Sequence, residues 1–196
     1  MESTPIRPEE LLSLEAYERV RAARRAEVIG LRELRRVELG PWLSVVFENR
    51  ETVLYQIQEM LRIERIVEPE RIRHEIETYE ELLPAASALS GTLFIEITDA
   101  AQRQAALPEL LGIEGRLRLK AGPLLSPGED KRPIDPSVAR PQAACVHYLR
   151  FPIEPALQAA FRSGEPPLWL EVDHPRYAHA ARLKPEQSAE LSRDLS

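Results

Sequence analysis

Residues 49–67 carry the strongest helix signal in the chain and constrain its fold more than any other stretch. Asn49 is a favourable N-cap, and Pro69 stops the helix because proline lacks the amide N–H that a helix interior needs. At about 100° per residue, the apolar side chains fall on one wide arc. Its members are Val53, Leu54, Ile57, Met60, Leu61, Ile63 and Val67. The pattern predicts an amphipathic helix that packs against a core.

Two polar side chains fall inside this apolar arc. Glu64 projects between Val53 and Ile57, and Gln56 lies beside Met60. Burying a carboxylate without a partner is costly. Glu64 is therefore a candidate general base or ligand, with Gln56 as its hydrogen-bonding companion, or it is half of a buried ion pair with an arginine of the first helix. A helix that is rotated or ends earlier would instead place Glu64 in solvent.

The opposite face of this helix is polar and also supplies candidates. It holds Gln58, Glu59, Arg62 and Arg65. We take Glu59 and Arg62 from this face as candidate binding residues, beside Gln56 and Glu64.

Two histidines and an aspartate outside the helix complete the candidate binding residues. His147 lies on the apolar face of a predicted strand, where a neutral imidazole is either a satisfied core residue or a ligand. Asp173 and His174 directly follow another predicted strand, a common place for binding residues, and Asp173 could orient the ring. The sequence Asp-His-Pro is equally good turn chemistry.

Composition excludes several classes of function. The net charge of −6 argues against binding to nucleic acid or to anionic membranes. Cys145 is the only cysteine, so an intramolecular disulfide, a thiolate zinc site and an iron–sulfur cluster are excluded. The N-terminus lacks signal-peptide features, and no apolar run approaches the roughly 20 residues that span a bilayer. These observations favour a cytoplasmic protein.

No known catalytic, phosphate-binding, dinucleotide-binding or metal-ligating motif is present, so the cofactor and the reaction, if there is one, stay open. The first helix, from about residue 8 to residue 34, precedes a short strand, and the two segments are rich in arginine. They carry Arg19, Arg21, Arg24, Arg25, Arg32, Arg35 and Arg36. Without interleaved aromatic residues this face does not indicate nucleic-acid binding, but it is one candidate surface for a protein partner.

The remaining elements predict an α+β fold. A β-hairpin spans residues 36–48, and a second helix follows at residues 70–83. Strands at residues 91–97, 115–120, 144–151 and 168–172, with helices at residues 99–111 and 155–164, give the order βαββαβ. That order is typical of a ferredoxin-like antiparallel sheet. We therefore expect the N-terminal helix, the hairpin and the helix pair to pack on such a sheet.

The boundaries follow from these elements. Residues 1–84 form the helical and hairpin part, residues 85–183 the βαββαβ part, and residues 184–196 a short charged helix that frays, all in one compact unit. Residues 122–142 contain five prolines and no helical or strand period, which predicts either a mobile excursion or a lid.

Five segments resemble an uncharacterised bacterial family known as domain of unknown function 3501. They are LLSLEAY (residues 11–17), RVELGP (36–41), YQIQEMLRIE (55–64), VHYLRF (146–151) and VDHPRY (172–177). Members of this family tend to be encoded beside rubrerythrin-like and iron–sulfur proteins, which implies a role in redox or peroxide-stress physiology. The resemblance implies no catalytic residues.

The function is open between two hypotheses. In the first, the chain is a non-enzymatic accessory protein that binds a partner, such as a redox protein, through the arginine-rich helix or the proline-rich loop. In the second, it is a small-molecule-binding or metal-binding protein, or an enzyme, in which Glu64, His147, Asp173 and His174 converge on one pocket. A homo-oligomer is compatible with either hypothesis.

Overall fold

Helices and antiparallel strands alternate in the computed structural model, which describes residues 4–132 and 142–195. The α-helices of this part of the chain are α1 Leu14–Leu34, α2 Arg50–Glu64, α3 Pro69–Glu80, α4 Ala100–Glu109, α5 Pro155–Ser163 and α6 Pro185–Ser192. The strands are β1 Arg36–Leu39, β2 Leu43–Glu48, β3 Ala88–Ile95, β4 Leu117–Ala121, β5 Leu124–Pro127, β6 Glu129–Asp130, β7 Val146–Pro152, β8 Leu168–His174 and β9 Tyr177–Arg182. The predicted α+β class, first helix, hairpin and helix pair are confirmed.

The strands form two antiparallel sheets. The first has the order β1-β2-β3-β7-β6, and the second has the order β5-β4-β8-β9. The chain passes from β5 in the second sheet to β6 in the first through Gly128, whose amide donates to the Leu117 carbonyl at 2.9 Å. The junction between the sheets is therefore held by a backbone hydrogen bond.

The predicted ferredoxin-like arrangement is wrong. The strands expected at residues 91–97 and 144–151 do pair with each other, as β3 and β7, but those at 115–120 and 168–172 pair in the second sheet, as β4 and β8. The free edge of β3 is taken by the hairpin through β2, and a further strand, β9, follows β8. Apolar periodicity identifies strands but does not specify which edges pair, so the order βαββαβ does not determine the sheet.

The proline-rich segment at residues 122–142 contains two short strands. β5 and β6 occupy residues 124–127 and 129–130, where the sequence shows no strand period, because each contributes few side chains to the core. Residues 133–141 lie outside the described residues, and the lid or excursion predicted there stays a prediction.

Two hydrophobic cores flank the first sheet. One draws on both sheets and on α4 and α5, and includes Leu149 and Phe151 of β7. The other lies among the helices: Val53, Ile57 and Leu61 of α2 pack there with Ile76 of α3. Tyr148, between Leu149 and His147 on β7, packs against this second core. Alternate residues of the strand thus face opposite layers, as a pleated strand requires.

The C-terminal segment is not frayed, contrary to the prediction. Leu191 and Leu195 are buried in the main core. Arg35, which caps the C-terminus of α1, has no exposed surface, forms ion pairs with Glu190 and Asp194, and donates to the carbonyl oxygens of Phe47 and Glu48. Two charged residues of this tail are partners of a buried arginine, which is why their polarity does not indicate exposure.

Within residues 4–132 and 142–195, no helix combines the length and the apolar character that crossing a membrane requires.

Candidate functional site

Glu64 lies on the surface, so its predicted burial is wrong. It is the last residue of α2, its side chain is 44% exposed, and its carboxylate is 3.6 Å from the Arg71 guanidinium. The helix ends there because Arg65 adopts a left-handed conformation, with φ of 54°, and the Ile66 amide donates back to the Leu61 carbonyl. Among the alternatives compatible with the sequence, the early helix end is the one the structure adopts.

The buried carboxylate beside α2 is Glu48, which sequence reasoning missed. It is 1% exposed and accepts hydrogen bonds from Thr52 Oγ1 at 2.6 Å, Thr92 Oγ1 at 2.7 Å and Gln56 Nε2 at 3.1 Å. The candidate Gln56 is therefore a donor to Glu48 rather than a companion of Glu64. Glu48 ends a strand immediately before the Asn49 cap, and that position carries no signal of burial.

Glu59 and Arg62 belong to a contact between α1 and α2. Arg21 donates to both carboxylate oxygens of Glu59, at 2.7 and 2.8 Å, and Tyr17 Oη donates at 2.6 Å. The hydrogen bond from Arg21 lowers the pKa of Glu59 to about 2. Arg62 lies 3.5 Å from Glu59 and 3.5 Å from Glu18. Glu59 is fully paired, whereas Nε of Arg62 is buried without a hydrogen-bond partner among the described residues. The ion pairs form a clamp between α1 and α2.

The clamp predicts a defined pH dependence of stability. The pKa of Glu59 falls from 4.5 to about 2 on folding, so its contribution is present above pH 4.5 and is lost as the pH falls toward 2. We expect Glu59→Gln to lower the free energy of unfolding at pH 7 by about 1–2 kcal/mol. Between pH 4.5 and 2.5, the free energy of unfolding of the variant is expected to fall less steeply than that of the wild type. Urea unfolding at several pH values measures both effects, and an unchanged pH profile would contradict the role of Glu59.

Asp173 and His174 lie at the end of β8, just before the turn to β9, and do not act together. His174 Nε2 donates to the Leu111 carbonyl at 3.2 Å, and Nδ1 accepts from the Arg176 amide at 3.3 Å. Asp173 instead accepts from Arg118 at 3.2 Å. Both nitrogens of the ring are used in fixing the turn, which supports the turn interpretation of this motif.

His147 belongs to a cluster of three potential ligands within the described residues. It lies on β7, is 4% exposed, and donates from Nε2 to the Ala144 carbonyl at 3.0 Å. Glu114, on the short 3-10 helix Ile113–Arg116, places Oε2 3.9 Å from His147 Nδ1. Asp130 of β6 completes the cluster, and one ligand atom from each residue lies within 4.8 Å of the others.

The contacts of the three side chains determine which of their atoms could hold a cation. Nε2 donates to the Ala144 carbonyl, so Nδ1 is the ring nitrogen that faces Glu114 and the one that could bind a cation. Glu114 Oε2 is buried and has no hydrogen-bond partner. Asp130 Oδ1 accepts from the Arg132 amide at 2.9 Å, which restrains the orientation of the carboxylate. One imidazole nitrogen and two carboxylates suit a divalent transition-metal ion.

The pocket predicted from Glu64, His147, Asp173 and His174 is wrong as a group. Of these residues, His147 alone joins the cluster, and its neighbours there are Glu114 and Asp130. No spacing in the sequence singles out Glu114 or Asp130, since the three residues come from separate segments that the two sheets bring together. Asp130 lies in the stretch predicted to be a loop.

Comparisons with known proteins give a family and a solved structure without a function. Residues 5–195 match the family described as "Protein of unknown function (DUF3501)". A crystal structure of a novel protein of unknown function from Burkholderia pseudomallei K96243, at 1.90 Å resolution, is 37% identical in sequence, with a TM-score of 0.89. The match covers 98% of this chain and 100% of that chain. No curated protein matches.

Proposed function

The chain belongs to the DUF3501 family of proteins of unknown function, and we propose that it binds a divalent metal ion through Glu114, Asp130 and His147. The observation that carries the proposal is the buried, unpartnered Oε2 of Glu114, which faces Nδ1 of His147 at 3.9 Å. A carboxylate oxygen withdrawn from water without a hydrogen bond is costly, and a bound cation would remove that cost.

The donor set indicates the class of ion. Two carboxylates offset the charge of a divalent cation, and the neutral imidazole adds a nitrogen that Mg²⁺ and Ca²⁺ seldom use. Three protein ligands leave at least one coordination position of the ion open for water, as in catalytic zinc sites. We therefore expect Zn²⁺ and Mn²⁺ to bind in preference to Mg²⁺.

A titration of chelator-treated protein with Mn²⁺ and Zn²⁺ tests this proposal. Wild-type protein is expected to bind one ion per chain, and Glu114→Gln to bind it about 10–100-fold more weakly because the charged ligand is lost. Glu109→Gln is the matched control, since Glu109 pairs on the surface with Arg176 at 2.6 Å. Absence of binding to the wild-type protein, or equal affinity in both variants, would refute the site.

The accessory role, the redox partner, the cytoplasmic location and a homo-oligomer stay predictions from the sequence. Several arginines of the proposed partner surface are engaged within the chain: Arg19 pairs with Glu15, Arg21 with Glu59, and Arg24 with Glu27.

A further inference from the structure

We propose that Lys131 is a positioning residue for the cation site: it holds Asp130 in place and couples occupancy of the site to the connection between α3 and β3. This inference rests on the proposed function. The Lys131 side chain donates to groups of that connection and of β3, so its effect on the site would pass through the backbone of β6.

The strand that carries Asp130 has little support of its own. β6 is two residues long and lies at the edge of the first sheet, where Glu129 and Asp130 pair with Arg150 and Leu149 of β7. So short an edge strand depends on the neighbouring residues of the chain for a fixed position, because few ladder hydrogen bonds hold it.

Lys131 supplies that support immediately after the strand. Its amide donates to the Tyr148 carbonyl at 2.7 Å, which extends the pairing to β7 by one residue. Its Nζ donates to the carbonyl oxygens of Glu81 and Leu83, at 2.7 and 3.1 Å, and to Ser90 Oγ at 2.8 Å. Three oxygen acceptors match the three N–H bonds of an ammonium group.

Arg132 adds a second anchor to the same region. Its side chain donates to Glu81 Oε2 at 3.1 Å and to the Thr78 carbonyl at 3.2 Å, and its guanidinium lies 4.9 Å from the centre of the Tyr148 ring. Its amide donates to Asp130 Oδ1. Asp130 is thus tied to the end of α3 through two consecutive cationic residues.

This geometry makes the coupling reciprocal. An ion that binds Asp130 restrains β6, and β6 restrains residues 81–90 through Lys131. By linkage, the coupling free energy is the same in both directions: as far as the bound ion stabilises the native contacts of residues 81–90, those contacts strengthen binding of the ion. Residues 129–132 therefore connect the cation site, on one face of the first sheet, to the helical layer on the other face.

Mn²⁺ affinity provides the first test. We expect Lys131→Met to bind Mn²⁺ about 10-fold more weakly than wild type, in the range seen when residues that orient metal ligands are removed. Lys131→Arg, which keeps a charged donor, is expected to recover most of the affinity. Lys120→Met is the matched control, because Lys120 pairs on the second sheet with Glu171 at 3.0 Å. Wild-type affinity in Lys131→Met would overturn the inference.

Hydrogen exchange gives a readout that does not require a folded variant. In wild-type protein, Mn²⁺ is expected to slow exchange of the amides of residues 81–90 as well as those around His147. Protection confined to the ligands and their strands would overturn the coupling while leaving the proposed function intact. If wild-type protein binds no Mn²⁺, the proposed function and the coupling through Lys131 fail together. Failure of the coupling alone is therefore distinguishable from failure of the proposed function.

Discussion

Replacing Arg35 with methionine is expected to lower the free energy of unfolding by about 3–5 kcal/mol. The guanidinium is fully buried, and it pairs with the mostly buried carboxylates of Glu190 and Asp194. Methionine retains much of the apolar volume but removes the buried charge partner of both carboxylates. It also removes the donors to the Phe47 and Glu48 carbonyl oxygens. The loss therefore combines uncompensated charge with unmade hydrogen bonds.

Urea unfolding of the variant and a matched control measures this effect. Arg25→Met changes an exposed arginine of α1, the helix that Arg35 caps, and is expected to alter stability by less than about 0.5 kcal/mol. Combining Arg35→Met with Glu190→Leu and Asp194→Leu is expected to recover part of the loss, because the carboxylates that faced the guanidinium are then removed as well. A loss below about 1 kcal/mol in the single variant would contradict the assigned role of Arg35.

Replacing His147 with leucine is expected to reduce Mn²⁺ affinity at least about 1,000-fold, which corresponds to about 4 kcal/mol of binding free energy. His147 supplies the nitrogen of the cluster, and leucine offers no ligand atom. The side chain lies beside Leu149 and Phe151 on the inner face of β7, so an apolar residue of similar size is compatible with the core. Binding should therefore be lost from a protein that remains folded.

His174→Leu is the control for this experiment. His174 is also buried, at 8% exposure, and it too donates from Nε2 to a backbone carbonyl, but it is not part of the cluster. We expect it to keep wild-type Mn²⁺ affinity while losing some stability. Calorimetric titration and thermal unfolding separate the two properties. Equal loss of affinity in both variants would show that the effect of His147 is structural.

Local elements are well predicted where caps and periodicity act within one segment. The Asn49 side chain caps α2 as expected, and Val53, Ile57 and Leu61 face a core. The predicted helix end is too late because Arg65 takes a left-handed conformation usually adopted by glycine, which the sequence does not signal. That early end places Glu64 on the surface rather than in the predicted interior.

The candidate site is less predictable because its members are distant in sequence. His147 stands out from its position on an apolar strand face, but Glu114 and Asp130 lie on a 3-10 turn and a two-residue strand with no periodic pattern. Their proximity depends on which strands pair and on how the two sheets are arranged. The periodicity of a single sequence specifies neither. The buried ion pair considered for Glu64 is wrong, because Glu64 is exposed and pairs with Arg71; the buried arginine, Arg35, pairs with Glu190 and Asp194.

The buried pairing of Arg35 also bears on how the chain is made. Arg35 and Glu190 are 155 residues apart. At typical rates of translation, of about 5–20 residues per second, the ribosome needs roughly 8–30 s to add Glu190 after Arg35. Throughout that interval the nascent chain carries Arg35 without its native partners, Glu190 and Asp194, because these residues have not yet been synthesised. The native packing around this residue can therefore be completed only after Glu190 and Asp194 have been synthesised.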